Sequence, residues 1–179
     1  MNKKEILRYM RTNSETENEQ LLALIDGAIA EAEAAIQPKS IWRIFDCEVT
    51  ENALLVGGVK FESRRLAENL CGCKRVAVLG ATLGTQGDLL LRKYAGESAR
   101  LMTMQAVLTA KIEELCDEVQ ADIERDCGCK TRERYSPGYY DLDIREQKKL
   151  FSLLDITKRC GITLTDTFQM LPTKSVTAF

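Results

Sequence analysis

Arg134–Asp143 reads RYSPGYYDLD, and how this stretch is read decides how the chain around it is parsed. The 179 residues hold only three prolines. One of them, Pro137, stands between Ser136 and Gly138, with Arg134 three residues before it and Tyr139 and Tyr140 just after. Proline fixes φ at about −65° and removes a donor, and the following glycine admits positive φ. The result is a pre-organised loop that presents its neighbouring amides and carbonyls at low entropic cost. Arg134 offers a planar fork suited to a carboxylate. Tyr139 and Tyr140 offer faces to a heteroaromatic ring or a cation. A small ligand with a carboxylate and a flat ring would suit the loop. So would a purely structural role, with the arginine paired to a nearby acid and the tyrosines covering the core.

The loop lies between helical patterns. Upstream, Ser98–Asp126 carries Leu101, Met104, Leu108, Ile112, Leu115, Val119 and Ile123 at three- and four-residue steps, the period of one long helix. The irregular connection 127–143 follows, and connections of that length in compact domains are functional or disordered. Downstream, Ile144–Lys158 reads as a helix with Leu150, Phe151 and Leu154 apolar. Residues 161–170 alternate as a half-buried strand, and KSVTAF (174–179) begins another.

Further out, Ser14-x-x-Glu17 has the form of a capping box, and the helix after it aligns Leu21, Leu24, Ile25, Ala28, Ile29, Ala32 and Ile36 before Pro38 stops it. Residues 41–49 and 53–61 read as strands, the second with a turn or bulge at Gly57-Gly58. Ser63 caps a short helix through Leu70, closed by Gly72. Residues 74–82 read as a buried strand with a loop, LGTQGD, after it. Strands thus fall in two groups separated by a long helix. That is an α+β arrangement with a mixed or mainly antiparallel sheet, in a single domain over 1–179.

Composition narrows the function. Twenty-five basic and twenty-seven acidic residues leave a net charge of −2, which argues against nucleic acid or an anionic membrane surface as the main partner. The N-terminal twenty residues are charged and polar throughout, without the apolar core of a signal peptide. The most apolar window, LLALIDGAIAEAEAAI, is interrupted by Asp26, Glu31 and Glu33 and is no membrane span. Seven cysteines without a secretion signal point to reduced thiols in a cytoplasm. The absence of histidine removes Ser-His-Asp and Cys-His nucleophilic sites, histidine-type zinc enzymes and imidazole bases.

Two other constellations are weaker. Gly80, Gly84 and Gly87 follow a strand, but their G-x3-G-x2-G spacing is not a dinucleotide fingerprint, and no Lys-Ser/Thr completes a P-loop. A strand-to-helix turn that needs glycine accounts for them better. Cys71-Gly-Cys73 and Cys127-Gly-Cys129 would hold zinc or an iron–sulfur cluster only if the pairs met in space. One intervening residue is tight for zinc, and both glycines sit where helices end.

The residues from Arg134 to Val176 carry a resemblance. R-x-S-P-G-Y, then a helix with an acidic start and Lys-Leu-Phe-x-Leu-Leu-Asp, then Gly-Ile-x-Leu-Thr-Asp and Met-x-Pro-x-x-Ser-Val, are similar to the S-adenosylmethionine-binding activation domain of cobalamin-dependent methionine synthase. VAVLGATLG and the helix carrying Glu113-Glu114-Leu115 resemble the same family more weakly. The resemblance implies a curved unit built on a bent antiparallel sheet. It implies that the R-x-x-x-G-Y loop holds S-adenosylmethionine, which remethylates cobalamin after one-electron reduction of an oxidised cofactor. Arg134 would pair with the methionine carboxylate. The backbone of Tyr135, Ser136 and the residues to Gly138 would meet the adenine, and Tyr139 would line the pocket. Glu113 would make an acidic contact to the amino group or sulfonium.

The sequence also departs from the family. It carries no separate cobalamin, folate or homocysteine domain, has no histidine to ligate cobalt, and stops at Phe179 where the family continues into a stretch that adds a further tyrosine. The expectation is therefore a stand-alone, cytoplasmic activation component, a methyltransferase component in type. It would act in trans on cobalamin supplied by a methionine synthase or other corrinoid protein, with a flavodoxin-like protein as electron donor. The alternatives are a non-catalytic docking module for a corrinoid protein that has lost S-adenosylmethionine binding, and a cysteine-based metal or redox protein.

Overall fold

The computed structural model describes residues 2–179. The chain opens with helix α1 (Lys3–Tyr9), where the expectation was only a charged, polar leader. Asn2 caps it by accepting from the Lys4 amide, and Ile6 and Leu7 are buried. Two apolar residues suffice here because they pack into a core supplied by other helices. Helix α2 (Glu19–Ala35) starts at Asn18, which accepts from the Leu21 amide. The Ser14–Glu17 box is thus a correction: those residues precede the helix, and Asn18 outcompetes them as the cap one step nearer the apolar stripe.

Strand β1 (Lys39–Val49), β2 (Ala53–Val56) and β3 (Val59–Glu62) follow, with Gly57 and Gly58 both at positive φ in the β2–β3 turn. Helix α3 (Arg64–Asn69) is capped by Ser63, as read from the sequence. Strand β4 (Arg75–Thr82) leads through Gly84, at φ +80°, into α4 (Thr85–Lys93). The glycines serve a strand-to-helix turn, while the stretch read as a loop has wound into α4. Helix α5 (Ser98–Cys127) is the long helix of the sequence reading and ends at Gly128 in the left-handed region.

The expected helix 144–158 is divided. A 3-10 turn (Ile144–Glu146) runs into α6 (Gln147–Leu154), Asp155 adopts φ +52°, and α7 (Ile156–Cys160) sets off in a new direction. Leu154 and Ile156, on either side of the break, are both fully buried. The expected strand 161–170 is likewise corrected. Only β5 (Thr163–Leu164) and β6 (Met170–Leu171) are extended, and they pair with each other. Between them Thr165 accepts from the amides of Phe168 and Gln169, and Phe168 lies at φ +63°. Strand β7 (Ser175–Ala178) closes the order.

The main sheet runs β3-β2-β1-β4-β7 with every neighbour antiparallel. The first eight residues of β1 pair with β4 and the last three with β2, so one long strand carries the sheet round a bend into a curled half-barrel. The α+β class and bent antiparallel sheet are as the sequence implied. Strand β4 shows how both faces are filled. Val76 and Val78 join Leu150, Leu154 and Ile156 of α6–α7, and a Cβ at Gly80 would lie 3.2 Å from the Ile156 Cδ1, a tight contact. Leu79 packs with Val119 and Ile123 of α5, and Ala81 joins the core formed with α1, α2 and α5. Each fully buried aliphatic side chain contributes about 1.5–3 kcal/mol, so β4 is held by packing on both of its faces.

Candidate functional site

The segment after α5 is tied down before it reaches the loop. The Thr131 amide and hydroxyl both donate to Glu124 Oε1, and Lys130 donates to Glu124 Oε2. These bonds hold the Glu124 carboxyl down at a pKa of about 2, Lys130 being the largest cause. The Arg132 guanidinium donates to the carbonyls of Asn69 and Cys71, and Asn69 Nδ2 donates to the Glu133 carbonyl. The end of α3 is thereby stitched to the loop.

Tyr135 forms a two-way backbone pair with Phe179, N–H to O at 3.1 Å and 2.9 Å in return. Its ring is buried and stacks on Tyr140, and its hydroxyl donates to Asp141. Gly138 sits at φ +92°, where a side chain would be strained and would press on Ile144. Its amide donates to the Leu142 carbonyl, which closes the turn. Leu142, fully buried, pins that turn to the core. Asp141 accepts from the Ser63 hydroxyl and from the Arg64 and Arg65 amides at the start of α3. Local desolvation works against the charge of this exposed carboxylate, but these bonds outweigh it and hold its pKa below the usual value. The aspartate of DLD is thus an anchor of the loop.

The loop faces a cleft of about 1250 Å³. Its walls are α5, the loop, the start of α6, β7, and the β5–β6 turn with the first residue of β6 (Phe168, Gln169, Met170), with the end of α3 at the rim. Arg134, Tyr135, Ser136, Tyr139 and Glu113, read from the sequence as site residues, all line it. Gly138 does not, and acts by shaping the turn. Tyr139 and Tyr140 are 64% and 85% exposed and stand at the edge. Both backbone groups of Tyr135 are committed to Phe179. Among the described residues the Ser136 N–H and the Pro137 and Gly138 carbonyls have no protein partner, so the free backbone groups of the loop begin at Ser136.

Arg134 does not stand alone. Its Nη1 donates to Asp117 Oδ1 and Gln120 Oε1, each at 2.8 Å, and its Nη2 to Glu113 Oε2 at 3.1 Å. Its guanidinium is largely shielded, whereas Asp117 is well exposed. Burial opposes the charge on Arg134, but the hydrogen bond to Asp117 and the charges of Cys116, Asp117 and Glu113 keep its pKa above its ordinary value. Asp117 and Gln120 were not read from the sequence. They lie four and seven residues after Glu113, one and two turns along the same face of α5, and this spacing would have found them. The lining charges are two arginines (Arg65, Arg134) and four carboxylates (Glu68, Glu113, Asp117, Glu133), a net of −2 around one half-buried cation. Such a cleft suits a small molecule that is cationic overall and carries one carboxylate.

The two Cys-Gly-Cys pairs do not meet as a metal centre. Cys71 and Cys129 are exposed, and Cys73, Cys127 and Cys129 border a separate, largely apolar pocket behind the loop. Among the described residues no three Cys, Asp or Glu side chains converge to hold a metal ion. No described helix is long and apolar enough to cross a membrane.

Comparison with known proteins points the same way. Residues 131–179 match the family model for the vitamin B12 dependent methionine synthase activation domain. Among solved structures the chain is similar to the crystal structure of the MetH reactivation domain bound to AdoHcy. The TM-score is 0.68 at 15% identity, over 90% of this chain and 64% of that one. At that identity the likeness shows the shared fold, and this chain spans 64% of that chain's length. No curated protein sequence matches. The resemblance read from Arg134–Val176 therefore holds, in sequence over the last 49 residues and in fold over most of the chain.

Proposed function

We propose that the cleft binds S-adenosylmethionine and that the protein is a stand-alone activation component, supporting reductive remethylation of cobalamin on a separate methionine synthase or other corrinoid protein. One observation carries the reading: a single shielded arginine set in an otherwise acidic cleft. S-adenosylmethionine joins a carboxylate to an ammonium and a sulfonium. Arg134 takes the carboxylate, and Glu113 and Asp117, released from Arg134, turn to the cationic groups. The Ser136 N–H and the Pro137 carbonyl offer a donor and an acceptor to the purine edge, and Tyr139 closes the pocket. The bound sulfonium supplies an electrophilic methyl group. The chain itself contributes position and shelter from water, tasks for which no histidine is needed. Cobalamin and a flavodoxin-like electron donor come from partners in this reading, and the surroundings are cytoplasmic.

Isothermal titration with S-adenosylmethionine tests the proposal. Wild type binds, and Arg134→Ala weakens binding by about tenfold to a hundredfold, because the shielded charged contact to the ligand carboxylate is lost. No binding at millimolar ligand, or equal affinity in the variant, overturns it. A second reading, a docking module without the methyl donor, draws on the three partners that Arg134 already has within the chain. Capture of a corrinoid protein regardless of S-adenosylmethionine would favour it.

A further inference from the structure

Gln147 opens α6 and is 3% exposed, yet it lines the cleft. Its Oε1 accepts from the Thr177 hydroxyl at 2.5 Å, and Thr177, on β7, is itself 1% exposed. Among the described residues its Nε2 has no hydrogen-bond partner. Nor is Nε2 sealed off: the one fully enclosed side-chain polar atom without a hydrogen bond among the described residues is Glu146 Oε2. A nearly buried amide that lines a cleft, with its oxygen already satisfied and its nitrogen neither paired nor enclosed, presents N–H donors to that cleft. Natural cores seldom keep such a donor without a partner.

The position of Gln147 separates it from the arginine. Arg134 turns toward α5, where Glu113, Asp117 and Gln120 meet it. Ile144, one turn before Gln147, packs against Gly138, where an added Cβ would lie 3.0 Å from its Cδ1. The start of α6 therefore adjoins the Pro137–Gly138 side of the loop. A ligand whose carboxylate sits on Arg134 directs its other end to this side.

We propose that Gln147, oriented by Thr177, is a ligand-binding residue whose side-chain N–H donates to an acceptor on the nucleoside part of the ligand, a ring nitrogen or a ribose oxygen. This rests on the reading of the cleft as an S-adenosylmethionine site. It makes recognition two-ended: a charged end at Arg134 and a neutral, donor-only end at Gln147. In the structure the Thr177 hydroxyl donates to Oε1, which leaves Nε2 for the ligand.

The test is titration of the full chain with S-adenosylhomocysteine and with 5′-methylthioadenosine, which keeps the nucleoside and lacks the carboxylate. Gln147→Leu and Gln147→Glu each weaken both ligands by about tenfold, whereas Arg134→Ala weakens S-adenosylhomocysteine alone. Unchanged affinity of Gln147→Leu overturns the proposal. So does a loss confined to S-adenosylhomocysteine, or a wild type that binds S-adenosylhomocysteine but not 5′-methylthioadenosine. Gln147→Glu binding as tightly as wild type overturns the donor role. If wild type binds neither compound, the reading of the cleft itself fails, a result distinct from all of these. Because Gln147 is buried, a second readout avoids substitution: its side-chain amide signals in a proton–nitrogen correlation spectrum of the wild type. They shift on addition of 5′-methylthioadenosine, and fixed signals while others in the cleft move refute the contact.

Discussion

Replacing Asp141 by alanine removes one carboxylate that joins the site loop to α3. Its Oδ1 accepts from the Ser63 and Tyr135 hydroxyls and its Oδ2 from the Arg64 and Arg65 amides. Loss of a helix cap costs about 0.5–2 kcal/mol. A hydrogen bond to a charged group is worth about 1.5–3 kcal/mol where shielded, but Asp141 is exposed and water replaces it at the two amides. The expected total is about 2 kcal/mol. For a chain of this size that lowers Tm by about 4–8 °C. The pH dependence gives a sharper check. The folded pKa of Asp141 lies below the unfolded 3.8, so its contribution is fully present well above 3.8 and is lost as pH falls through the lower folded value. Denaturant unfolding of wild type and variant at about pH 7 and about pH 2.5 should show the difference shrinking in acid. Equal stability at neutral pH, or a difference unchanged by acid, would refute the reasoning.

Two further outcomes can be measured. Burial lowers the pKa of Lys174, with Asp88 opposing, and its Nζ donates to Thr109. Below that folded value its charge is a cost that fades as pH rises toward the unfolded 10.5, so Lys174→Met should stabilise by on the order of 1 kcal/mol at pH 7. The gain should diminish by about pH 10.5, and paired thermal melts that show a loss at neutral pH would contradict it. Native alkylation followed by mass spectrometry should label Cys71 and Cys129 first. Cys116, fully buried and pushed up to about 12 by that burial, should react only on unfolding, and early labelling there would be inconsistent with the packing of α5.

What the sequence disclosed, and what it hid, follow from how local each signal is. The α5 pattern and the Ser63 cap are written in adjacent residues, and both stand in the structure. The loop was legible because proline and glycine restrict the backbone wherever they occur. Its wall was less so. Asp117 and Gln120 follow Glu113 at helical spacing but meet Arg134 through the way α5 lies beside the loop, and Gln147 lines the cleft where β7 brings Thr177 to it. Helix α1 was missed because its two buried residues draw their packing from α5 and its neighbours and not from any periodicity of their own. The strand expected over 161–170 failed at Thr165–Phe168, where a hydroxyl and a left-handed residue make a turn that alternation alone conceals.

The last strand adds a consequence for how the protein comes into being. β7 reaches back across the whole of α5 to pair with β4, Leu79 with Ala178 and Thr82 with Ser175, and Phe179 then pairs with Tyr135. Contacts so distant along the chain pay their loop-closure entropy before any reward arrives. Ser175, Val176 and Thr177 are at once the sheet's final partners and part of the cleft floor, so the cleft is finished only when the sheet is. Ligand binding by a freshly made or refolding chain would then report its arrival at the native state, and a partly folded chain would have nothing to offer the ligand.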